Sequence, residues 1–204
     1  MVVSSRSGYD RFASFYEYGE RVLELFLGRW RKILFRRIQA LKVLEIGVGT
    51  GRSISYYRPG TNMIAGDLSW GMMRFARRKA QSRAMVINFC QFDVQNIPFV
   101  SQTFPAVLSS LVFCSVSDPL SGLREIWRVL QIDGRLYMIE HVRPDSFVAG
   151  AVFDVLNWFS VSLIGEHLNR NTSNLVSQAG FSVVDEIRCF KGVVRLLVAE
   201  KKLD

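Results

Sequence analysis

Residues 42–51 read Lys-Val-Leu-Glu-Ile-Gly-Val-Gly-Thr-Gly, an apolar run that leads directly into three alternating glycines. The run predicts a buried strand, and the glycines predict a tight turn at its carboxyl end. Glycine allows a positive φ and lets the main chain approach a ligand closely. In a doubly wound α/β fold, ligands bind in the crevice at this end of the strands. We therefore predict that Gly47, Gly49 and Gly51 form a ligand-binding loop and that Gly51 opens a helix.

The spacing of this loop narrows the class of ligand. It is Gly-x-Gly-x-Gly, whereas dinucleotide enzymes carry Gly-x-Gly-x-x-Gly, and no Gly-Lys-Ser/Thr follows as in a phosphate-binding P-loop. The pattern thus disfavours a nicotinamide or nucleoside triphosphate site. A tight turn without a ligand is the alternative interpretation.

A second apolar run, residues 62–67, ends in the carboxylate of Asp67 about 20 residues after the glycines. At this separation an acidic side chain meets ribose hydroxyls, and a carboxylate can accept hydrogen bonds from both members of a diol. Asp67 is therefore the predicted ribose ligand. It could instead, or in addition, cap a helix that begins near Ser69.

The same arrangement recurs at residues 87–94, where a third predicted strand ends at Asp93. The Asp93 carboxylate could accept from the exocyclic amine of adenine while Val94 packs on the ring. Further predicted strands span 104–112, 135–140, 181–187 and 193–201, and a helix spans 123–130. The alternation predicts an α/β fold with a mostly parallel seven-stranded sheet covered by helices on both faces. The last two strands are joined by too short a segment for a crossover, so the last strand should run antiparallel.

Several of these segments resemble the ordered motifs of class I S-adenosylmethionine-dependent methyltransferases. The matching segments are residues 44–51, 66–69, 93–94, and 128–130 followed by 133–136. The resemblance spans about residues 9 to 200 and implies S-adenosylmethionine as cofactor and S-adenosylhomocysteine as product. It implies that the glycine loop faces the methionine part, Asp67 the ribose, and Asp93 with Val94 the adenine. Glu45, Leu68 and Leu111 complete the cofactor site that it implies.

Within that class, residues 9–16, 112–116, 140–142 and 165–170 resemble bacterial phosphatidylethanolamine N-methyltransferases. Animal thiol methyltransferases share the Cys-Ser-Val and Glu-His-Val strings, and quinone C-methyltransferases share the opening tyrosine pattern. The expected reaction is therefore N-methylation of phosphatidylethanolamine and its methylated derivatives, with a small apolar thiol or quinone as the alternative acceptor. A nucleic-acid modifier is less favoured, because no Asn/Asp-Pro-Pro-Tyr loop follows the fourth strand.

Six residues are candidates for the acceptor side. Tyr9 and Tyr16 lie at helical spacing and could form a lid over the cofactor, with Tyr9 acting in catalysis. His141, at the end of the fifth strand, is the candidate base or a structural hydrogen-bond donor. Arg143, His167 and Arg170 could bind a lipid phosphate, because arginine forks match phosphate oxygens.

A formal net charge of +8 suggests an anionic partner. Residues 20–41 combine Trp, Phe and Leu with six cations, which is typical of a helix in an anionic lipid interface. A helix that packs on the domain with a solvated basic face is the alternative. We expect residues 1–41 to form a lid and this basic helix, and residues 42–204 to form the methyltransferase domain. The expected location is cytoplasmic and peripheral on the inner face of the membrane.

Cys90, Cys114 and Cys189 show no Cys-x-x-Cys spacing, so we expect no metal site. Residues 147–165 are nearly all apolar but marginal in length for a membrane span. They are expected to line an acceptor groove or to form a buried core helix. The sequence does not predict the oligomeric state.

Overall fold

A computed structural model of the chain describes residues 24–142, 170 and 172–202, apart from the side chain of residue 191. Four of the predicted acceptor residues lie outside these ranges: Tyr9, Tyr16, Arg143 and His167. The apolar segment 147–165 lies outside them as well. His141 and Arg170 are described.

Seven strands form one sheet in the order β3-β2-β1-β4-β5-β7-β6. The strands are β1 (Lys42–Ile46), β2 (Asn62–Asp67), β3 (Ile87–Gln91), β4 (Phe104–Ser110), β5 (Leu130–His141), β6 (Phe181–Cys189) and β7 (Val194–Lys201). β1 pairs in parallel with β2 and with β4, so the strand order reverses beside β1. In open α/β sheets this switch point is where ligands bind. We call the space at the carboxyl ends of β1 and β4 the cofactor crevice.

The last two strands confirm the predicted hairpin. β6 pairs antiparallel with β7, and β7 pairs antiparallel with β5, so β7 is the strand that runs against the others. Residues 190–192 form a single 3-10 turn between β6 and β7, too short for a crossover.

Within the described ranges, four α-helices cover the two faces of the sheet. They are α1 (24–37), α2 (Trp70–Ser82), α3 (Pro119–Val129) and α4 (Thr172–Gln178). Leu27 and Leu34 of α1 share one buried cluster with Met73 of α2, and Leu123 of α3 shares the other with Val176 of α4. The sheet therefore separates α1 and α2 from α3 and α4. None of the described helices is long and apolar enough to cross a membrane.

Three element boundaries differ from the sequence prediction. β3 ends at Gln91 rather than near Asp93; Phe92 N still donates to the carbonyl of Asp67, at 3.1 Å, and Asp93 then accepts from Gln95 N in a local turn. α3 begins at Pro119 because the Asp118 side chain caps it by accepting from Ser121 N. β5 begins at Leu130, five residues earlier than predicted, and its register with β4 is irregular there.

The helix predicted after Gly51 is also shorter than expected. Only a four-residue 3-10 helix, Ser53–Tyr56, follows the glycine loop, and Tyr57 is already extended. Pro59 follows closely and disfavours a helical conformation at the preceding residue, Arg58. The helix therefore cannot continue far beyond Tyr56.

Candidate functional site: the cofactor crevice

The three glycines of the loop after β1 all have positive φ, at 66°, 54° and 80° for Gly47, Gly49 and Gly51. A Cβ on Gly47 would lie 2.3 Å from Val112 Cγ2, and one on Gly51 would lie 2.9 Å from Ala76 Cα. A Cβ on Gly49 would meet only Met72 Cε, at 3.7 Å. Gly47 and Gly51 are therefore required by packing, whereas Gly49 leaves space beside the loop for a ligand.

Asp67 joins this loop to the start of α2. One carboxylate oxygen, Oδ2, accepts from Gly49 N at 2.8 Å, and Oδ1 accepts from Ser69 N at 2.8 Å. The helix cap itself is Ser69, whose hydroxyl accepts from Met72 N at 3.1 Å. Asp67 thus orients the loop through backbone contacts, and its contact with ribose stays a prediction.

The predicted adenine side lies after β3. Asp93 is half-buried, Val94 is buried, and the Asp93 carboxylate accepts from the backbone and the side-chain amide of Gln95. Arg128 of α3 steadies the following segment by donating to the carbonyls of Ile97 and Phe99, at 2.9 and 2.8 Å. The contact of Asp93 with adenine stays a prediction.

Glu45, the acidic residue of β1, is fully buried. Burial raises the pKa of its carboxyl to about 7, although the Ser53 hydroxyl and the Arg31 charge oppose the shift. Tyr57 donates its hydroxyl to Glu45 Oε2, and Oε1 has no hydrogen-bond partner in the described part of the chain. This unpartnered acceptor suits the ammonium group at the methionine end of S-adenosylmethionine.

Arg31 connects α1 to this site, a position that the sequence analysis missed. It was grouped with the basic surface of the helix, but it is only 5% exposed. Its Nη1 donates to Ser110 Oγ at 2.9 Å and lies 3.5 Å from Ser53 Oγ, while its Nε lies 3.1 Å from Glu24 Oε2. Arg31 therefore links the helix to the ends of β4 and of the glycine loop.

The opposite wall of the crevice is the post-β4 loop, residues 111–116. Leu111 adopts a φ of 57° and donates its N–H to the carbonyl of Ile139, at 2.8 Å. Val112 follows and packs against Gly47. The post-β4 loop thus contacts the glycine loop directly.

The Glu140 side chain binds the backbone of this loop. It is fully buried, and its Oε1 accepts from Val112 N at 3.1 Å, from Phe113 N at 3.3 Å and from the Ser109 hydroxyl at 3.4 Å. Burial raises the pKa of the Glu140 carboxyl to about 7, and these hydrogen bonds oppose the shift. The sequence analysis quoted Glu140 in a motif but gave it no role.

Arg170 holds the carbonyl side of the same loop. Its Nη1 donates to the carbonyl of Phe113 and, at 2.6 Å, to that of Val116. The donors on Nη1 are therefore committed to the loop, and the predicted phosphate contact would fall to the remaining N–H groups. His141 is half-buried at the end of β5, and its role as a base stays a prediction.

The described residues offer no group of three or more His, Cys, Asp or Glu side chains that could hold a metal ion. The cofactor site of a class I methyltransferase is defined by three features: a strand, a glycine loop after it, and an acidic residue at the end of the next strand. The space beside Gly49, the position of Asp67 at the end of β2 and the unpartnered oxygen of Glu45 within the described residues all fit S-adenosylmethionine.

Comparisons with known proteins agree with this class. Residues 44–138 match the family described as "Methyltransferase domain". The chain therefore contains an S-adenosylmethionine-dependent methyltransferase domain of class I, and S-adenosylmethionine is its cofactor.

The chain is similar to "Demethylmenaquinone methyltransferase" of Deinococcus radiodurans, with 32% identity over 71% of this chain and 64% of that protein. A protein of the same name from Bacteroides fragilis is 24% identical over 95% of this chain and 90% of its own length. A crystal structure of a SAM-dependent methyltransferase from Thermotoga maritima shares the fold, with a TM-score of 0.75 and 22% identity, and covers 96% of this chain and 99% of its own.

Proposed function

We propose that the protein transfers the methyl group of S-adenosylmethionine to a ring carbon of a quinol. The observation that carries this proposal is the similarity to two proteins named demethylmenaquinone methyltransferase. The sequence motifs favoured N-methylation of phosphatidylethanolamine. Because of the similarity to these two proteins, we now rank that reaction second. The alternative acceptor of the sequence analysis therefore becomes the leading one.

The residues of the crevice are suited to an in-line displacement. When bound, S-adenosylmethionine supplies a methyl group already activated by the sulfonium, so the protein has mainly to align the reacting atoms. Asp67 and the space beside Gly49 would hold the nucleoside, and Glu45 would hold the ammonium. Glu140 and Arg170 fix the post-β4 loop opposite the glycine loop, which gives the acceptor side a rigid wall.

Methylation of a carbon atom requires one step that methylation of an amine does not. A quinol ring carbon attacks the methyl group, a carbon–carbon bond forms, and the carbon–sulfur bond breaks with its electrons moving to sulfur. The proton on the attacked carbon must then leave to a base. His141 is our candidate for that base, because it is a titratable side chain at the carboxyl end of β5, the edge of the sheet at which the crevice lies. A phospholipid amine needs only to be neutral before it attacks.

The proposal can be tested with two acceptors assayed separately. Purified protein is incubated with labelled S-adenosylmethionine and either a demethylated naphthoquinol kept reduced or phosphatidylethanolamine in the same detergent. We expect label in the quinol, and a rate that falls strongly in the Asp67→Ala variant. Label in the phospholipid alone would favour the second candidate, and label in neither would reject both acceptors.

A further variant examines the base. His141→Gln should slow transfer to the quinol while leaving the affinity for S-adenosylmethionine unchanged, because no cofactor contact is assigned to His141. A parallel loss of cofactor affinity would instead indicate that His141 supports the crevice structurally.

A further inference from the structure

The helix α1 has two faces with different chemistry. Leu27, Leu34 and Ile38 are buried against the sheet. Leu25, Arg29, Lys32 and Arg36 follow one another at i, i+4, i+7 and i+11, so they form a stripe on one side of the helix, and all four are exposed. The packed-helix interpretation thus accounts for the buried face of α1 and assigns the other face only to solvent.

The cations of this helix fall into two groups. Arg31 is buried, and Arg37 is paired with Asp185. Within the described part of the chain, Arg29, Lys32 and Arg36 form no ion pair with a carboxylate. The guanidinium carbon of Arg29 lies 5.5 Å from the centroid of the Trp30 ring.

A groove beside α1 adds a further cation. It is lined by Lys32, Phe35, Arg36, Ile38, Gln39, Ser55, Tyr56 and Arg58. Arg58 is exposed and, like the three cations of the stripe, has no carboxylate partner in the described residues. Three positive side chains thus surround one shallow groove, which suits an anionic head group.

Large apolar side chains stand at the amino-terminal end of the same surface. Leu25 is 82% exposed and its neighbour Phe26 is 59% exposed. Exposed apolar side chains beside unpaired cations are typical of a helix that lies in a lipid interface. A nucleic acid would match the cations but would leave the two apolar side chains in water.

We propose that this surface docks on an anionic phospholipid membrane. We define the α1 basic face as Leu25, Phe26, Arg29, Lys32, Arg36 and Arg58. Leu25 and Phe26 enter the head-group region, and the four cations contact the phosphates. This inference does not depend on the identity of the methyl acceptor.

The test uses the full-length protein and sedimentation with vesicles. Vesicles of phosphatidylcholine with phosphatidylglycerol are compared with vesicles of phosphatidylcholine alone. Binding should occur mainly on the anionic vesicles and should fade as salt rises, because the Debye length falls from about 10 Å at 0.1 M to about 3 Å at 1 M. Equal binding to both kinds of vesicle at low salt would overturn the proposal.

A matched pair of variants locates the surface. The triple variant Arg29→Gln, Lys32→Gln, Arg36→Gln should lower partitioning onto anionic vesicles roughly tenfold to a hundredfold. The control, Arg74→Gln, Arg78→Gln, Arg83→Gln, removes the same charge from exposed positions on and just after α2 and should retain most of the binding. An equal loss in both variants would mean that net charge acts alone, and wild-type binding by the first would also overturn the proposal.

Two further measurements keep the result specific. Leu25→Ser with Phe26→Ser should remove the vesicle binding that persists in high salt. Calorimetric titration and thermal unfolding should show unchanged cofactor affinity and fold in all variants, because none of these residues lines the crevice. Tighter binding of the wild type to a DNA duplex than to anionic vesicles, lost in the same α1 variant, would assign the surface to nucleic acid instead.

Discussion

The two sides of the cofactor crevice are held by different kinds of contact. On the β1–β2 side, Tyr57 donates to the buried Glu45 and Arg31 donates to Ser53 and Ser110, so contacts between side chains are added to the backbone contacts of Asp67. On the β4–β5 side, side chains hold backbone, since Glu140 and Arg170 bind the N–H and carbonyl groups of the post-β4 loop. The first arrangement shapes a pocket for a constant cofactor. The second fixes the backbone path of a loop whose Phe113 and Val116 side chains are buried in the core.

The largest effect should come from breaking the side-chain network of the cofactor side. Arg31→Gln leaves Glu24 and Glu45 without their buried cation and should lower the free energy of unfolding by about 3 kcal/mol. Arg29→Gln, two residues earlier on the exposed stripe, should change it by less than about 0.5 kcal/mol. Denaturant unfolding of both variants checks the contrast. Equal losses would mean that Arg31 behaves as a surface residue.

Gly47 tests the contact between the two sides. Gly47→Ala should lower the free energy of unfolding by about 2–3 kcal/mol, because the residue has a positive φ and its Cβ would strike Val112. Gly49→Ala, where only φ opposes the change, should cost about 1 kcal/mol of stability but should weaken cofactor binding. Thermal unfolding combined with calorimetric titration separates the two outcomes. A stable Gly47→Ala protein would contradict the close approach of the two loops.

Asp67 tests the cofactor side alone. Asp67→Ala should weaken S-adenosylmethionine by about 2–3 kcal/mol, the scale for losing hydrogen bonds to a charged group. Calorimetric titration measures the loss, and Asp133→Asn, at an exposed position near the amino-terminal end of β5, serves as a control. Unchanged affinity in Asp67→Ala would remove Asp67 from the site.

The two buried glutamates should make stability depend on pH. Burial raises the pKa of Glu45 and of Glu140 from 4.5 to about 7, so the folded protein binds these protons more tightly than the unfolded chain. Their contribution is fully present below pH 4.5 and is lost as the pH rises through about 7. Glu45→Gln and Glu140→Gln should each flatten this part of the stability curve, because a pKa raised from 4.5 to about 7 corresponds to about 3 kcal/mol at neutral pH. Wild-type pH dependence in both variants would contradict the raised pKa values.

Much of the cofactor side could be predicted because its signals are local in the sequence. The turn after β1 is predicted by the alternating glycines that follow the strand. The turn after β2 is predicted in the same way by Asp67. The β6–β7 hairpin was predictable for the same reason, since the short connection excludes a crossover.

The acceptor side was harder to predict because its contacts join distant parts of the chain. Arg170 reaches a loop that ends more than 50 residues earlier in the sequence, and nothing near Arg170 signals that partner. The burial of Arg31 was hard to predict for the same reason. The periodicity shows that α1 is amphipathic, but it does not show which cation donates to the Ser110 hydroxyl. The ends of β3 and the start of α3 were misjudged by a few residues, because single side chains and backbone bonds decide them.

The most direct test of the account offers both acceptors at once. Protein, S-adenosylmethionine carrying a carbon-13 methyl group, a reduced demethylated naphthoquinol and phosphatidylethanolamine are incubated together, and the lipid extract is analysed by carbon-13 NMR. We predict a carbon-bound methyl signal in the quinone fraction, absent when Asp67→Ala replaces the wild type at low cofactor concentration. A nitrogen-bound methyl signal in the phospholipid fraction, with none in the quinone fraction, would contradict it.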